Sequence, residues 1–364
     1  MGWPRKKYVK DGQEGVFHCF SRCVRRAYLY GYDPVTGKDF SHRKAWIVDR
    51  LRHLAGVFAV DVCAYAVMAN HYHTILRLRP DIVAAWSDWE VATRWLILFP
   101  VRRSKDGTQA SPADQDIWAL TQCPERIALL RKRLCSLSWF MGRLNEFIAR
   151  AANKEDQVKG RFWESRFKCQ ELLDGAAITS CMVYADLNLI RAGLAETPED
   201  SDFTSIQERI RSWQRAARAE ASAFAQVQNR QSENPGGSTK RTAEFGPSEV
   251  PSPDGDAFSS DWLCPIASDS KRRGILQMTA TEYFELVDRS GRLVRSGKSG
   301  AMDPDLLPIL LRIGAKPDAW IDTVSHFGSR FRLAAGMISN LRNWANKLGN
   351  RWTTGVTSAR TAFA

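Results

Sequence analysis

The run Val67-Met68-Ala69-Asn70-His71-Tyr72-His73-Thr74-Ile75-Leu76 sets two histidines two residues apart at the head of an apolar stretch. On an extended strand successive side chains alternate faces, so His71 and His73 point the same way and Tyr72 points opposite. Two neutral imidazoles side by side form half of a site for a divalent cation. Ala69-Asn70 reads as a short turn, which makes 59–68 and 71–79 neighbouring strands. Residues 15–24 read as an earlier strand, and Ser41 to about Leu54 as an amphipathic helix.

Strand, helix, strand, strand is the opening of a ferredoxin-like α+β domain. The chain has six histidines, and a His-x-His pair alone is weak evidence of chemistry. A second motif lies more than a hundred residues later, in Ser180-Cys181-Met182-Val183-Tyr184-Ala185-Asp186-Leu187-Asn188-Leu189-Ile190-Arg191-Ala192-Gly193. It reads as a helix that starts near Asp174 and stops at Gly193. Tyr184 and Asn188, four residues apart, share one helical face. The Asn188 amide oxygen could complete a cation shell begun by the histidines, with Tyr184 beside it as a nucleophile. A tyrosine packed in the core with a satisfied hydroxyl is the plain alternative.

These motifs resemble those of the HUH single-tyrosine transposases, and within them the REP-associated tyrosine transposases. Met68-Ala69-Asn70-His71-Tyr72-His73 resembles the Met-Pro-Asn-His-hydrophobic-His of that family, and Tyr184 through Gly193 its Tyr-x-x-x-Asn-Pro-hydrophobic-Arg-Ala-Gly. Gly160-Arg161-Phe162-Trp163-Glu164-Ser165-Arg166-Phe167-Lys168 is similar to its Gly-x-x-Trp-x-x-Arg-Phe segment, and Gly15 to Arg22 to its first-strand signature. The four motifs run in order over residues 15 to about 205. Ala69 and Leu189 stand where the family usually has proline, and neither position supplies a reacting group. Without proline at 189 the helix stop falls on Gly193.

The resemblance implies the HUH endonuclease fold, an antiparallel sheet with packed helices against which the tyrosine helix lies. It also implies a single-stranded DNA endonuclease and strand transferase that cleaves near hairpins through a 5′-phosphotyrosine link. His71, His73 and Asn188 would hold Mg²⁺ or Mn²⁺, and Tyr184 would attack. Arg22, Arg161, Arg166 and Lys168 occupy the motifs nearest the site and would contact DNA, with Trp163 stacking on a base. Each of these cations could equally be solvated or paired to a carboxylate. A hairpin-binding protein that has lost cleavage shares the same motifs, and a His-x-His metallohydrolase unrelated to DNA is a third class. A homodimer that pairs each tyrosine with its partner's histidines is compatible with them, as is a monomer.

A net charge of +12 and a pI near 9.4 call for a polyanionic partner and argue against the third class. No stretch is long and apolar enough to span a bilayer, and the basic start Met1 to Lys10 leads into no apolar secretion core, so a cytoplasmic protein is expected. Eight cysteines form no Cys-x-x-Cys pair and read as reduced, mostly buried hydrophobes. Of the thirteen tryptophans, several sit among cations, as in Arg161-Phe162-Trp163 and Arg342-Asn343-Trp344. That interleaving suits stacking on bases as well as packing.

The expected catalytic domain is 1–215, with a helical insertion at about 81–155. The insertion opens on a capping box, Ser87-x-x-Glu90, followed by a polar break at 103–115. After Pro124 a single long helix is predicted, because Ile127, Leu130, Leu134, Leu137, Met141, Leu144 and Ile148 step by three and four. The stripe fits a core face or a coiled-coil seam, and Arg126, Arg131, Arg133 and Arg143 opposite it could follow a phosphate backbone. Residues 216–260, rich in Gln, Ser, Pro and Gly, read as a linker. Residues 261–364 read as a smaller, mainly helical accessory module, with helices over Thr281–Val287 and Pro304–Ile313, suited to DNA-end recognition or dimerisation.

Overall fold

The computed structural model describes residues 5–10, 12–24, 30–102, 111–216, 262–294, 327, 333–349, 356 and 359. The linker from 217 onward, the helix read at Pro304–Ile313 and most of the polar break lie outside the described residues. What is described is a mixed α+β fold. Strand β1 (Gly15–Arg22), helix α1 (Arg43–Val57), β2 (Val60–Val67) and β3 (His71–Leu78) fall close to the periods that announced them. Strands β4 (Lys168–Leu172) and β5 (Ala334–Ala335) complete a sheet of order β2-β3-β1-β4-β5. The pairings β2–β3, β3–β1 and β1–β4 are antiparallel, but β4–β5 is parallel. An all-antiparallel sheet was expected. The exception is a two-residue strand from the C-terminal segment, too short for alternation to show.

Register decides which side chains share a face. Phe20 stands opposite His73 and Lys168, His18 opposite Ile75 and Gln170, and Arg22 opposite His71. Directly opposed residues in an antiparallel pair project to the same side. One face therefore carries Arg22, Phe20, His18, His71, His73, Gln170 and Lys168. Cys19, Ser21, Tyr72 and Thr74 project to the other.

That other face is covered by α1 and by α6 (Leu137–Glu155), the last of five helices between β3 and β4. The preceding four are α2 (Pro80–Ala85), α3 (Asp88–Leu98), α4 (Asp114–Thr121) and α5 (Pro124–Leu134). The Tyr72 hydroxyl donates to Asn145 Oδ1 at 2.7 Å, and Asn145 Nδ2 donates to Ser21 Oγ at 3.1 Å. Residues 81–155 thus contribute a full layer of the fold, not an appendage. The predicted single helix after Pro124 is two, broken at Cys135–Ser136, because the Leu134 carbonyl accepts from Ala59 N at 2.9 Å outside the helix ladder. The apolar stripe continues across the break. All seven of its residues are buried, which makes it a core face and not a seam. Arg131 reaches Asp88 at 2.8 Å, Arg133 lies over Trp139 and Arg143 pairs with Glu146, so three of the four cations opposite it are engaged within the protein. Ser87 caps α3 by accepting from Glu90 N, while the Glu90 carboxylate pairs with Arg94 instead of closing the capping box. Among the described residues, no helix is long and apolar enough to cross a membrane.

Helix α7 (Gly175–Asp186) lies against the histidine face, and α8 (Asn188–Arg191) follows after a break at Leu187. Asp174 caps α7, with Oδ1 accepting from Ala177 N at 2.9 Å. Its Oδ2 accepts from Met337 N and Asn340 Nδ2, at 2.7 and 3.0 Å. Gly336 permits this approach, since a Cβ there would meet Asp174 Oδ2 at 2.7 Å. Near the other end of α7, buried Asp186 accepts from Ser205 Oγ, Ile206 N and the Tyr283 hydroxyl, the last at 2.6 Å from helix α9 (Ala280–Val294). Leu263, Tyr283, Leu286, Ala334 and Leu341 belong to the same buried cluster as Leu51 and Ile75. The described part of 261–364 therefore packs into the first core and does not build a separate one.

Burial raises the Asp186 carboxyl to about 6, and the hydroxyls of Ser205 and Tyr283 hold it down. Tyr283→Phe removes one of those donors from a buried carboxylate and is expected to cost about 1–3 kcal/mol. Urea unfolding at neutral pH measures it, and an unchanged midpoint would show that the contact is neutral.

Candidate active site

The face of β1, β3 and β4 that meets α7 gathers three imidazoles. His71 and His73 have ring centres 5.1 Å apart, as their spacing requires, and His18 stacks 5.1 Å from His73. Tyr184, near the end of α7, sets its ring edge-on to both His73 and His18, at 5.5 and 6.0 Å. Two motifs 111 residues apart in the chain thus meet across the sheet-helix interface. Asn188 is the first residue of α8, and its amide nitrogen donates to the Tyr184 carbonyl at 3.1 Å. That bond fixes the orientation of the amide and spends one of its N–H groups on the backbone. The break at Leu187 alters the simple picture of Tyr184 and Asn188 on one continuous helix, and Gly193 ends the turn at φ +70°.

The hydrogen bonds around the histidines define which nitrogens carry protons. His71 Nδ1 lies 2.7 Å from Asn70 Oδ1, a carbonyl acceptor, so Nδ1 holds the proton and Nε2 the lone pair. Burial, with a contribution from the Arg22 charge, lowers His71 to about 4. Burial also holds His73 well below the ordinary imidazole range, with His18, His71, Arg22 and Arg191 acting in the same sense. Both rings are therefore neutral at pH 7, the form that ligates metals. Among the described residues His73 Nε2 is buried without a hydrogen-bond partner, which fits an atom meant for a ligand.

Among the described residues no three His, Cys, Asp or Glu side chains are grouped to hold a metal ion. A cation here would rely on two imidazoles and the Asn188 oxygen, a neutral set that leaves coordination positions for phosphate oxygens. Such a donor set fits Mn²⁺ better than Mg²⁺, which prefers oxygen ligands throughout.

Tyr184 is partly buried, and desolvation raises its hydroxyl above the ordinary value of 10; Arg191, by charge and hydrogen bond, and the Asn188 side chain oppose that rise. The Arg191 guanidinium carbon sits 5.0 Å from the Tyr184 ring centre. Phe327 closes the other side, fully buried and 5.9 Å from the same ring. Arg191 stands inside the motif that located Tyr184, yet only the turn of α8 brings it to the ring. His18 was visible as a polar residue in an apolar strand; its role depends on register. Nothing local marks Phe327.

The expected DNA contacts divide. Arg22 lies beside the histidines, across from His71, and Lys168 holds its amine 5.5 Å from the Phe20 ring on the same face. Arg161 and Arg166 are exposed on the segment leading into β4. Trp163 is committed elsewhere: its indole N–H donates to the Asn145 carbonyl at 2.9 Å and its ring packs on Tyr72. The half-buried indole therefore braces the sheet against α6.

No protein-family profile matches the chain, and no curated protein does. Among solved structures, one similar to this chain is described as the REP-associated tyrosine transposase bound to a REP hairpin. It is 12% identical, with 58% of this chain and 86% of that chain covered and a TM-score of 0.31.

Proposed function

We propose that the protein is a metal-dependent single-stranded DNA endonuclease and strand transferase of the HUH single-tyrosine type. The observation that carries the proposal is the Tyr184 ring set 5.5 Å from His73, whose Nε2 is buried and unpartnered. The order β2-β3-β1-β4, with α1 and α6 on one face, is that of a ferredoxin-like sheet and supports the reading. So do the four ordered motifs and the charge of +12.

In this reading Tyr184 Oη attacks phosphorus and loses its proton to solvent. The bond from phosphorus to the 3′-oxygen breaks, the 3′-hydroxyl departs with a proton, and a 5′-phosphotyrosine remains. Attack by a second 3′-hydroxyl reverses the step and joins new ends without ATP. Arg191, beside the phenol, stabilises the phenolate as it forms and again as it leaves. His71, His73 and Asn188 would hold Mg²⁺ or Mn²⁺, which when bound neutralises charge developing on the scissile phosphate. Arg22 and Lys168, on the histidine face, bind the strand's phosphates, and Arg161 and Arg166 extend the track. Tyr184 meets His73 of its own chain, which favours a site assembled within one cytoplasmic subunit over one shared by a homodimer.

The test is covalent attachment. Incubating the protein with end-labelled hairpin DNA and Mn²⁺ should yield an adduct that survives denaturing detergent and is absent in EDTA. Hairpin binding with no adduct would identify a binding protein without cleavage and overturn the proposal.

A further inference from the structure

His18, Gln170 and His73 form a buried line across three strands. His18 Nε2 lies 2.8 Å from His73 Nδ1, and His18 Nδ1 lies 3.3 Å from Gln170 Oε1. The three residues are 1%, 2% and 5% exposed, so water does not compete for these bonds. A carboxamide oxygen only accepts, so His18 Nδ1 carries that ring's proton. A neutral imidazole has a single N–H, which makes His18 Nε2 an acceptor. His73 Nδ1 must then be the donor, and the lone pair falls on His73 Nε2, the nitrogen without a protein partner.

The geometry points to His18, backed by Gln170, as a positioning residue that holds His73 in the Nδ1–H tautomer and keeps Nε2 free to ligate a cation. With the line reversed, Gln170 would donate through its amide, His18 would donate to His73 Nδ1, and the proton would sit on His73 Nε2. A protonated Nε2 cannot ligate. The polarity of this line therefore decides whether His73 is a metal ligand. His71 has its own arrangement, since Asn70 fixes its proton on Nδ1. The inference rests on the reading of His73 as a ligand, but its first readout does not.

That readout is nitrogen NMR of the full-length, histidine-labelled protein without metal. The wild type should show His73 protonated on Nδ1 and bare on Nε2. His18→Phe keeps a ring against Phe20 and Phe327 but removes the acceptor, and should give a tautomer mixture. Mn²⁺ titrated by calorimetry should bind this variant about 10–100-fold more weakly. His18→Gln can place an amide oxygen near the lost Nε2 and should recover binding to within about threefold of wild type, as expected if an acceptor is all His73 requires. Gln170→Leu keeps His18 but releases its Nδ1, and should show a smaller loss with the same mixed tautomer. Should His18→Phe not fold, the His18→Gln and Gln170→Leu variants carry the comparison. Hairpin affinity in EDTA should be unchanged throughout.

A wild-type His73 protonated on Nε2 overturns the inference, as does Mn²⁺ affinity indifferent to His18→Phe. If the tautomer and Mn²⁺ effects appear while the wild type forms no DNA adduct, the functional proposal fails and this inference stands.

Discussion

Tyr184→Phe, which removes one oxygen atom, is expected to lower covalent attachment to hairpin DNA by at least about 10⁴-fold, the scale seen when a nucleophile is deleted. The ring keeps its packing against His73, His18 and Phe327. The hydroxyl's guanidinium neighbour, Arg191, is exposed, so no buried charge is stranded. Folding and hairpin binding should therefore match the wild type, which separates loss of chemistry from loss of structure. Four other tyrosines are poorly placed to substitute. Tyr30, Tyr65, Tyr72 and Tyr283 are all buried, and the last three donate to Glu208, Asn145 and Asp186 respectively. The measurement is the labelled adduct on a denaturing gel. Adduct at wild-type yield from the Tyr184→Phe protein would remove Tyr184 from the mechanism.

Acid should destabilise the protein through the buried imidazoles of the histidine face. Burial lowers His18 and His71 to about 4, against 6.5 for an unrestrained imidazole, and also holds His73 well below that ordinary value. Below 6.5 the unfolded chain takes up protons that the folded chain refuses until about 4. The unfolded state then binds more protons, so stability falls as pH falls. Between pH 7.5 and 5 His18 and His71 should each forfeit about 2 kcal/mol, and His73 adds a loss of the same sign. Asp186, raised to about 6, works in the opposite sense: its proton favours the folded state and returns about 1 kcal/mol over the same interval. For His18, His71 and Asp186 together the net is a loss of about 3 kcal/mol, which His73 and His53, the latter also lowered to about 4 by burial, deepen; that is a large part of the margin of a typical domain. Urea unfolding in EDTA at the two pH values checks it, and a flat profile would show that these histidines are already protonated or exposed.

The parts of the fold that were legible in the sequence are those set by local period. Alternation announced β1, β2 and β3, and the spacing of His71 and His73 put them on one face before any partner strand was known. Asp174 announced the start of α7 because capping is a local matter of one carboxylate and one backbone N–H. The helix break at Cys135–Ser136 was not legible, since the apolar steps run through it unchanged and its cause, the Ala59–Leu134 hydrogen bond, joins residues far apart in the chain. The packing of Trp163 on Tyr72 was hidden for a related reason. Cations beside an indole look the same whether the ring faces DNA or Tyr72. His18 needed the register of three strands to become visible as the neighbour of His73. Arg191 needed the bend at Leu187.

The two carboxylates at the ends of α7 have a bearing on the order in which the fold is made. Asp174 is tied to residues 337 and 340, and Asp186 to residue 283, all synthesised roughly a hundred or more residues after the helix they hold. Chains emerge from the ribosome N-terminus first. The sheet with its histidines can therefore form early, while the helix bearing the tyrosine waits for its braces. A nascent chain would present the histidine face before Tyr184 is seated beside it, and α7 would be held at both ends only once Ala334–Ala335 pairs with β4.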